Sequence, residues 1–138
     1  MNTFKYRVSF DEADGEGIVF FGNYFRIVHR AFEDFMPALG IPWHEWFANP
    51  DWGVPLKHVE CDYMRPLVPG MNISITINVE SLGDSSAHFV YVVKDEAGEL
   101  CAKLKTSHVF VTRPKGAMKK LRVPDDIRRR LEPALLKA

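Results

Sequence analysis

Cysteine is scarce in this 138-residue chain, which contains only Cys61 and Cys101. Both lie in apolar-patterned segments and neither belongs to a C-x-x-C spacing, so we expect reduced core thiols and not a disulfide framework. Long hydrophobic runs are also missing, because none approaches the ~18 residues that cross a bilayer. The N-terminus, MNTFKYRVSF, lacks the pattern of a signal peptide. We therefore predict a cytoplasmic protein that does not enter a membrane.

An excess of one charge is absent as well, because Lys plus Arg and Asp plus Glu both total 18. This balance gives no reason to expect a nucleic acid or an anionic membrane as partner. The chain has no G-x-S-x-G motif, so a serine esterase is not expected. The tripeptide HEW at His44 lacks the second histidine of a zinc motif, and we predict no bound metal. With 46% hydrophobic residues, this length predicts one globular domain, residues 1–138.

One long amphipathic helix is the clearest element of the pattern. From Asn23 onward, apolar residues recur with the period of one helix face, namely Tyr24, Ile27, Val28, Ala31, Phe32, Phe35 and Leu39. Gly40 and Pro42 follow, and both are typical of the residues that end a helix. A helix this apolar needs burial over much of its circumference.

Most of the remaining chain predicts β-strands. The segment FKYRVSF alternates Phe4, Tyr6, Val8 and Phe10 with polar residues, which predicts a half-buried strand. Four more strands are predicted in LKHVECDYM, NISITINVESL, AHFVYVVKD and ELCAKLKTSHVFVT, arranged as an antiparallel meander. The economical fold is α+β, a curved antiparallel sheet of about five strands wrapped around one long helix. Because such a sheet has free edges, we expect a homodimer or homotetramer.

An acidic, glycine-rich segment, FDEADGEGIVFFGNYF at residues 10–25, separates the first strand from the helix. A calcium loop does not fit, because Asp11, Asp14 and Glu16 have the wrong spacing. A dinucleotide fingerprint fails because Phe20 stands where the third glycine is required. Two interpretations stay open. Either the carboxylates cap the coming helix, or one of them faces the unpaired N–H groups at the helix start and acts on a carbonyl held there.

The same segment resembles the signature of the hotdog-fold acyl-CoA thioesterases, specifically the 4-hydroxybenzoyl-CoA thioesterase-like group. That signature is roughly D-x-x-D-x-x-G-h-V-[aromatic]-[aromatic or His]-x-x-Y, and this chain matches it at Asp11, Asp14, Gly17, Val19, Phe20 and Tyr24. The segment DYMRPL, Asp62 to Leu67, resembles a second recurring segment of the group. The order of elements agrees over residues 4–113, so the resemblance covers most of the chain and implies the hotdog fold.

The resemblance implies an acyl-CoA thioesterase in which Asp14 is the catalytic carboxylate, acting as nucleophile or general base. It also implies that the backbone N–H of Phe21 donates to the thioester carbonyl, and that the only coenzyme involved is the coenzyme A of the substrate. By their place in the motif, Gly17, Phe20 and Tyr24 belong to the substrate site. Many relatives carry a histidine or tyrosine at Phe21 or the following glycine, so here no side-chain imidazole or hydroxyl supports the carbonyl.

Two histidines are further candidates for the substrate site. His29 lies about 110° from the centre of the apolar helix face, where it either lines an acyl pocket or makes a subunit contact. His58 lies in the strand before DYMRPL and either faces the pocket of a partner subunit or does not reach a site. Three tryptophans in the 43–52 loop cover the edge of the core or wall the acyl group. The crowded aromatic residues favour an aryl or medium-length acyl chain.

Two alternatives to a thioesterase stay open. A hotdog hydratase or dehydratase uses the same fold for proton chemistry on acyl thioesters. That class typically needs a histidine paired with a carboxylate, and the segment around Asp14 contains no histidine. A non-catalytic acyl-CoA-binding module would bind its ligand without turnover. These residues do not decide which acyl group is carried, or whether the carrier is coenzyme A or an acyl carrier protein.

Overall fold

The structure is a computed structural model that describes residues 2–113 and 118–136. Its helices are α1 (Asn23–Ala38), α2 (Trp43–Trp46) and α3 (Asp125–Leu131). Its strands are β1 (Thr3–Arg7), β2 (Trp52–Gly53), β3 (Leu56–Tyr63), β4 (Asn72–Leu82), β5 (Ser86–Lys94), β6 (Leu100–Val109) and β7 (Val111–Thr112). Short 3-10 turns at Phe10–Glu12 and Glu132–Ala134 join the remaining segments. No helix in these ranges is both long and apolar enough to cross a membrane.

Five strands form one antiparallel sheet in the order β1-β4-β5-β6-β3. The hairpins β4–β5 and β5–β6 form the predicted meander. The meander prediction is wrong for β3, which pairs with β6 at the far edge of the sheet and not with β4, the strand that follows it. A strand has two neighbours, and β4 already pairs with β1 and β5. Strands β2 and β7 form a separate two-stranded sheet that the sequence pattern did not predict.

Helix α1 packs its apolar stripe on one face of the sheet, which confirms the predicted α+β architecture. The predicted helix spans Asn23–Ala38, and Gly40 ends it with φ +81°, in the left-handed region that favours glycine. Phe32 of α1 meets Phe89 of β5 edge-to-face, with ring centroids 5.0 Å apart. On β4, alternate residues Ile73, Ile75, Ile77 and Val79 are fully buried against the helix. Burial of each such side chain stabilises the folded state by about 1.5–3 kcal/mol.

The first strand is shorter than its alternating pattern predicts. Phe4 and Tyr6 pack against the core and Val8 is buried, but β1 ends at Arg7. Phe10 lies in the following 3-10 turn with 86% of its surface exposed, so its predicted place on the buried face is wrong. The chain turns away because the carboxylate of Glu12 accepts the backbone N–H of Ser9 at 2.7 Å.

Candidate functional site

The acidic segment forms a tight loop that is closed by an antiparallel bridge between Ala13 and Val19. Asp14 N–H donates to the Ile18 carbonyl at 2.8 Å, and Gly17 N–H donates to the Asp14 carbonyl at 3.1 Å. Gly17 has φ +80°, a conformation that costs any other L-residue strain energy. The Oδ1 atom of Asp14 accepts the Glu16 N–H at 2.8 Å, and among the described residues Oδ2 has no hydrogen-bond partner. The loop thus holds the carboxylate by one oxygen.

Glu12 anchors this loop to the fold. Glu12 is buried, with 3% of the residue exposed, and its carboxylate accepts the Tyr6 hydroxyl at 2.6 Å. Its backbone carbonyl accepts the Phe20 N–H at 3.0 Å and the Asn23 side-chain amide at 2.9 Å. Burial, together with the bond to Glu12, raises the pKa of Tyr6 to about 12. Strand β1, the Asp14 loop and the start of α1 are therefore tied together through one residue.

The start of α1 does not use the loop carboxylates as caps. In the described structure the N-cap of α1 is Gly22, with no side-chain cap, and its first turn holds no acidic residue. The backbone N–H groups of Phe21 and Gly22 have no hydrogen-bond acceptor within residues 2–113 and 118–136. Unpaired N–H groups at a helix start, supported by the helix dipole, favour a negatively polarised oxygen. This geometry supports the second of the two interpretations of the acidic segment.

A pocket of about 380 Å³ brings the loop and the helix start together. Asp14, Phe21 and Tyr24 line it, together with Ile18, Val19, Tyr63, Met64, Arg65 and Pro66, and we call it the Asp14 pocket. Three of the predicted site residues therefore meet in one place. The segment 63–66 belongs to DYMRPL, to which the sequence resemblance assigned no role, so these four residues were missed although the signal was present.

Tyr63 fixes the backbone beside the pocket. Its hydroxyl donates to the Phe21 carbonyl at 2.9 Å, and its ring meets the edge of the Tyr24 ring at 4.8 Å. The buried Tyr24 hydroxyl in turn accepts the Leu67 N–H at 3.3 Å. Burial raises the pKa of Tyr63 to about 12, so this hydroxyl stays protonated and remains a donor at neutral pH. The two tyrosines orient the peptide that follows Phe21.

A second space of about 590 Å³, the large cavity, lies between α1, the strands β3 and β6, and the 46–55 segment. Its walls are mainly apolar and aromatic, and include Phe25, Val28, Phe32, Trp46, Phe47, Val54, Leu56 and Val59. Tyr91, Thr106 and His108 add polar groups from the sheet, and Arg26 and Arg113 also line it. Within the described part of the chain, the large cavity and the Asp14 pocket share no lining residue.

The other predicted site residues lie outside the Asp14 pocket. Phe20 is half exposed and packs on the Phe21 ring, with centroids 4.5 Å apart. His29 lines the large cavity, and its Nδ1 atom lies 3.2 Å from the Glu33 carboxylate. His58 lines neither cavity; it pairs with Ser107 in the register of β3 and β6, and its ring lies 3.2 Å from Glu60. Among the described residues, no three His, Cys, Asp or Glu side chains come together as a metal site.

Known proteins of similar sequence and structure place this site in a family. A family model described as the thioesterase-like superfamily matches residues 8–131. The chain is 28% identical over 138 residues to a 1,4-dihydroxy-2-naphthoyl-CoA hydrolase of Thermosynechococcus vestitus, covering 100% of this chain and 90% of that one. It is 33% identical over 113 residues to the hydrolase of the same name from Rippkaea orientalis, covering 80% and 82%.

A solved structure gives the same fold. The 1,4-dihydroxy-2-naphthoyl-CoA thioesterase from Synechocystis superposes with a TM-score of 0.85 over 94% of this chain and 93% of that chain, at 22% identity. The predicted hotdog fold is thereby confirmed, and so is the predicted class of thioester hydrolase, which the family match supports. The chain belongs to the thioesterase-like superfamily.

Proposed function

We propose that this protein hydrolyses the thioester of an aryl-CoA, with Asp14 as the catalytic carboxylate and the Phe21 N–H as the donor to the carbonyl oxygen. The observation that carries the proposal is that Asp14 and the unpaired N–H of Phe21 belong to one pocket at the start of α1. The curated relatives are named for 1,4-dihydroxy-2-naphthoyl-CoA, and an aryl thioester of this kind is the substrate we propose here.

In the proposed reaction the thioester carbonyl oxygen lies against the Phe21 N–H, where the helix dipole stabilises the negative charge that develops. Asp14 then takes a proton from water, and the hydroxide adds to the carbonyl carbon. When the carbonyl re-forms, the C–S bond breaks, and the coenzyme A thiolate leaves and takes up the proton. Alternatively, Asp14 adds to the carbonyl itself, and water hydrolyses the resulting mixed anhydride. Both routes give the free acid and the thiol without a further cofactor.

We propose a homodimer in which the β3 strands of two protomers pair. Strand β3 is an edge of the sheet and exposes the large apolar residues Leu56, Val59 and Tyr63, an edge that invites pairing. In an antiparallel pair about a two-fold axis, Leu56 of one protomer lies near the partner's Tyr63. Leu56 lines the large cavity and Tyr63 lines the Asp14 pocket, so the dimer brings each Asp14 pocket to the partner's cavity.

This assembly supplies a place for the whole acyl group. The carbonyl lies at Asp14 of one protomer, and the ring enters the large cavity of its partner. A cavity of about 590 Å³ with aromatic walls accommodates a ring system. His29 lines the same cavity, which supports the proposal that it contacts the acyl group.

The test is thiol release from aryl-CoA and alkyl-CoA thioesters by the wild type and Asp14→Asn. We expect kcat to fall by at least ~10²-fold, the low end for the loss of a catalytic carboxylate. The affinity of Asp14→Asn for the aryl acid, measured by calorimetry, should stay close to that of the wild type. Glu16→Gln is the matched control, because this exposed acid lies two residues away in the same loop and its side chain makes no described contact with Asp14.

Other outcomes point to the alternatives. Full thiol release by Asp14→Asn would remove Asp14 from the mechanism. Water addition to an enoyl-CoA without thiol release would indicate a hydratase. Binding of acyl-CoA without any turnover by the wild type would indicate a binding module.

A further inference from the structure

Three polar side chains form a hydrogen-bonded chain on the wall of the large cavity. The Tyr91 hydroxyl and the Thr106 hydroxyl lie 2.9 Å apart, and Thr106 Oγ1 lies 3.3 Å from Nε2 of His108. Nδ1 of His108 lies 3.4 Å from the Val54 carbonyl. All three side chains are at least nine-tenths buried. They occupy inward positions of β5 and β6, where apolar residues would pack without the cost of burying polar groups.

The partners of His108 fix the direction of every bond in this chain. A carbonyl oxygen only accepts, so Nδ1 carries the proton that it donates to Val54, and Nε2 of the neutral ring is an acceptor. Thr106 must then donate to His108, and Tyr91 must donate to Thr106. Burial lowers the pKa of His108 to about 4, which keeps the ring neutral at pH 7. Every donor of the chain is therefore used, and only oxygen lone pairs of Tyr91 and Thr106 are left.

A group that meets this chain must therefore bring the hydrogen itself. A hydroxyl donates such a hydrogen, whereas Tyr91, Thr106 and His108 offer no donor to a carboxylate or a phenolate. The walls around this chain are aromatic: Phe32 stacks nearly parallel to His108, with 6° between the planes and centroids 5.8 Å apart. Phe25, Trp46 and Phe47 also line the cavity.

We infer that Tyr91 and Thr106, oriented by His108, accept a hydrogen bond from a ring hydroxyl of the acyl group and so select hydroxyaryl thioesters over plain aryl thioesters. This inference rests on the proposed function, which supplies an aryl group to the cavity. It adds where the ring hydroxyl binds, at Tyr91 and Thr106, and that the hydroxyl is the donor of the hydrogen bond. An aryl group without the hydroxyl loses that contact, and the lone pairs of Tyr91 and Thr106 stay unused.

The experiment compares 4-hydroxy-2-naphthoyl-CoA with 2-naphthoyl-CoA. We expect the wild type to favour the hydroxylated substrate by about tenfold in kcat/KM, the value of one neutral hydrogen bond. Thr106→Val has the same shape without the hydroxyl, and Tyr91→Phe removes the other acceptor. Both should bring the ratio of the two kcat/KM values close to one, because kcat/KM for the hydroxylated substrate falls more than kcat/KM for 2-naphthoyl-CoA. Thr76→Val is the matched control, because its hydroxyl bonds Thr3 and Thr76 lines neither cavity.

Two results would overturn the inference: a wild type without preference, or a Thr106→Val variant that loses activity on both substrates equally. Affinities of the free acids 4-hydroxy-2-naphthoate and 2-naphthoate, measured by calorimetry, give a second readout. If neither the wild type nor any variant releases thiol from any substrate, the proposed function fails. The ratio of the affinities for the two free acids, compared between wild type and Thr106→Val, still decides the inference. Thermal unfolding of each variant verifies that it is folded.

Discussion

Protonation of one side chain, His108, makes the stability of the fold depend on pH. Burial lowers the pKa of His108 from 6.5 to about 4, and His29 and His88 nearby add to this lowering, while the bond to the Val54 carbonyl opposes it. The unfolded chain binds a proton near pH 6.5, whereas the folded chain binds it only near pH 4. Stability therefore falls as the pH falls through this window. The contribution of His108 to the loss is about 3 kcal/mol once the pH is below both values.

The measurement is urea unfolding of the wild type and His108→Phe between pH 7 and pH 4.5. Between these two pH values, the wild type should lose about 2–3 kcal/mol more than the variant, which has no imidazole to protonate. His44→Gln is the control, because it removes an imidazole that is exposed in α2 and not buried in the core. If the free energy of unfolding falls equally with pH in wild type and His108→Phe, His108 is not the cause of the pH dependence.

Site residues that lie close together in one segment could be predicted from the sequence. Residues that meet only through strand pairing across the sheet could not. Asp14, Phe21 and Tyr24 lie in one motif, and the motif spacing brings them to one pocket. Thr106 and Tyr91 meet only because β5 and β6 pair in one particular register. In the sequence His108 is a lone histidine in a strand, and nothing in the pattern shows that a hydroxyl two residues away shares its bonds.

At the scale of elements, the Asp14 loop depends on the backbone conformation of one glycine. Gly17 has φ +80° with open space around its Cα, so an added Cβ would meet no atom but would strain the backbone. We predict that Gly17→Ala lowers the free energy of unfolding by about 1 kcal/mol. It should also lower kcat, because the turn that sets the Asp14 carboxylate relaxes. Urea unfolding and thiol release measure the two effects.

Gly98 is a matched control for this prediction. It has φ +83°, equally open space and a similar place in a tight turn, between β5 and β6. Gly98→Ala should therefore cost a similar free energy of unfolding and leave kcat unchanged. Equal losses of kcat in the two variants would mean that the effect follows from general stability and not from the loop.

Elements with a strong period were predicted closely, and elements held by pairing alone were not. The apolar stripe of α1 and the alternation of β4 mark their bounds directly in the sequence. Strands β2 and β7 have two residues each, too short for any period to show. The pairing of β3 with β6 follows from the whole sheet, because each strand can have only two neighbours.

At the scale of the whole molecule, the separation of the two cavities is the main argument for a site shared between protomers. The Asp14 pocket reaches strand β3 at Tyr63, and the large cavity reaches it at Leu56 and Val59. At ~3.4 Å per residue even Val59 lies about 14 Å along the strand from Tyr63, which is farther than one small ring spans. Pairing of two β3 strands in antiparallel fashion removes the distance, because each end then meets the opposite end of its partner.

A shared site predicts that two inactive variants restore activity when they are combined. Asp14→Asn keeps a normal cavity, and Val54→Trp fills the cavity while keeping Asp14. In a mixed dimer, Asp14 of the Val54→Trp protomer faces the open cavity of the Asp14→Asn protomer, and one of the two sites is complete. Refolding the two variants together in equal amounts should give about a quarter of the wild-type activity, since about half of the dimers are mixed.

The matched control combines Asp14→Asn with the double variant that carries both substitutions. Its mixed dimers have one open cavity but no Asp14, so thiol release should stay at the level of the separate variants. If Asp14→Asn and Val54→Trp also stay at that level, although sedimentation shows mixed dimers, each protomer holds a complete site. The ring would then have to reach the Asp14 pocket within one chain, and the contact between β3 strands would serve assembly alone.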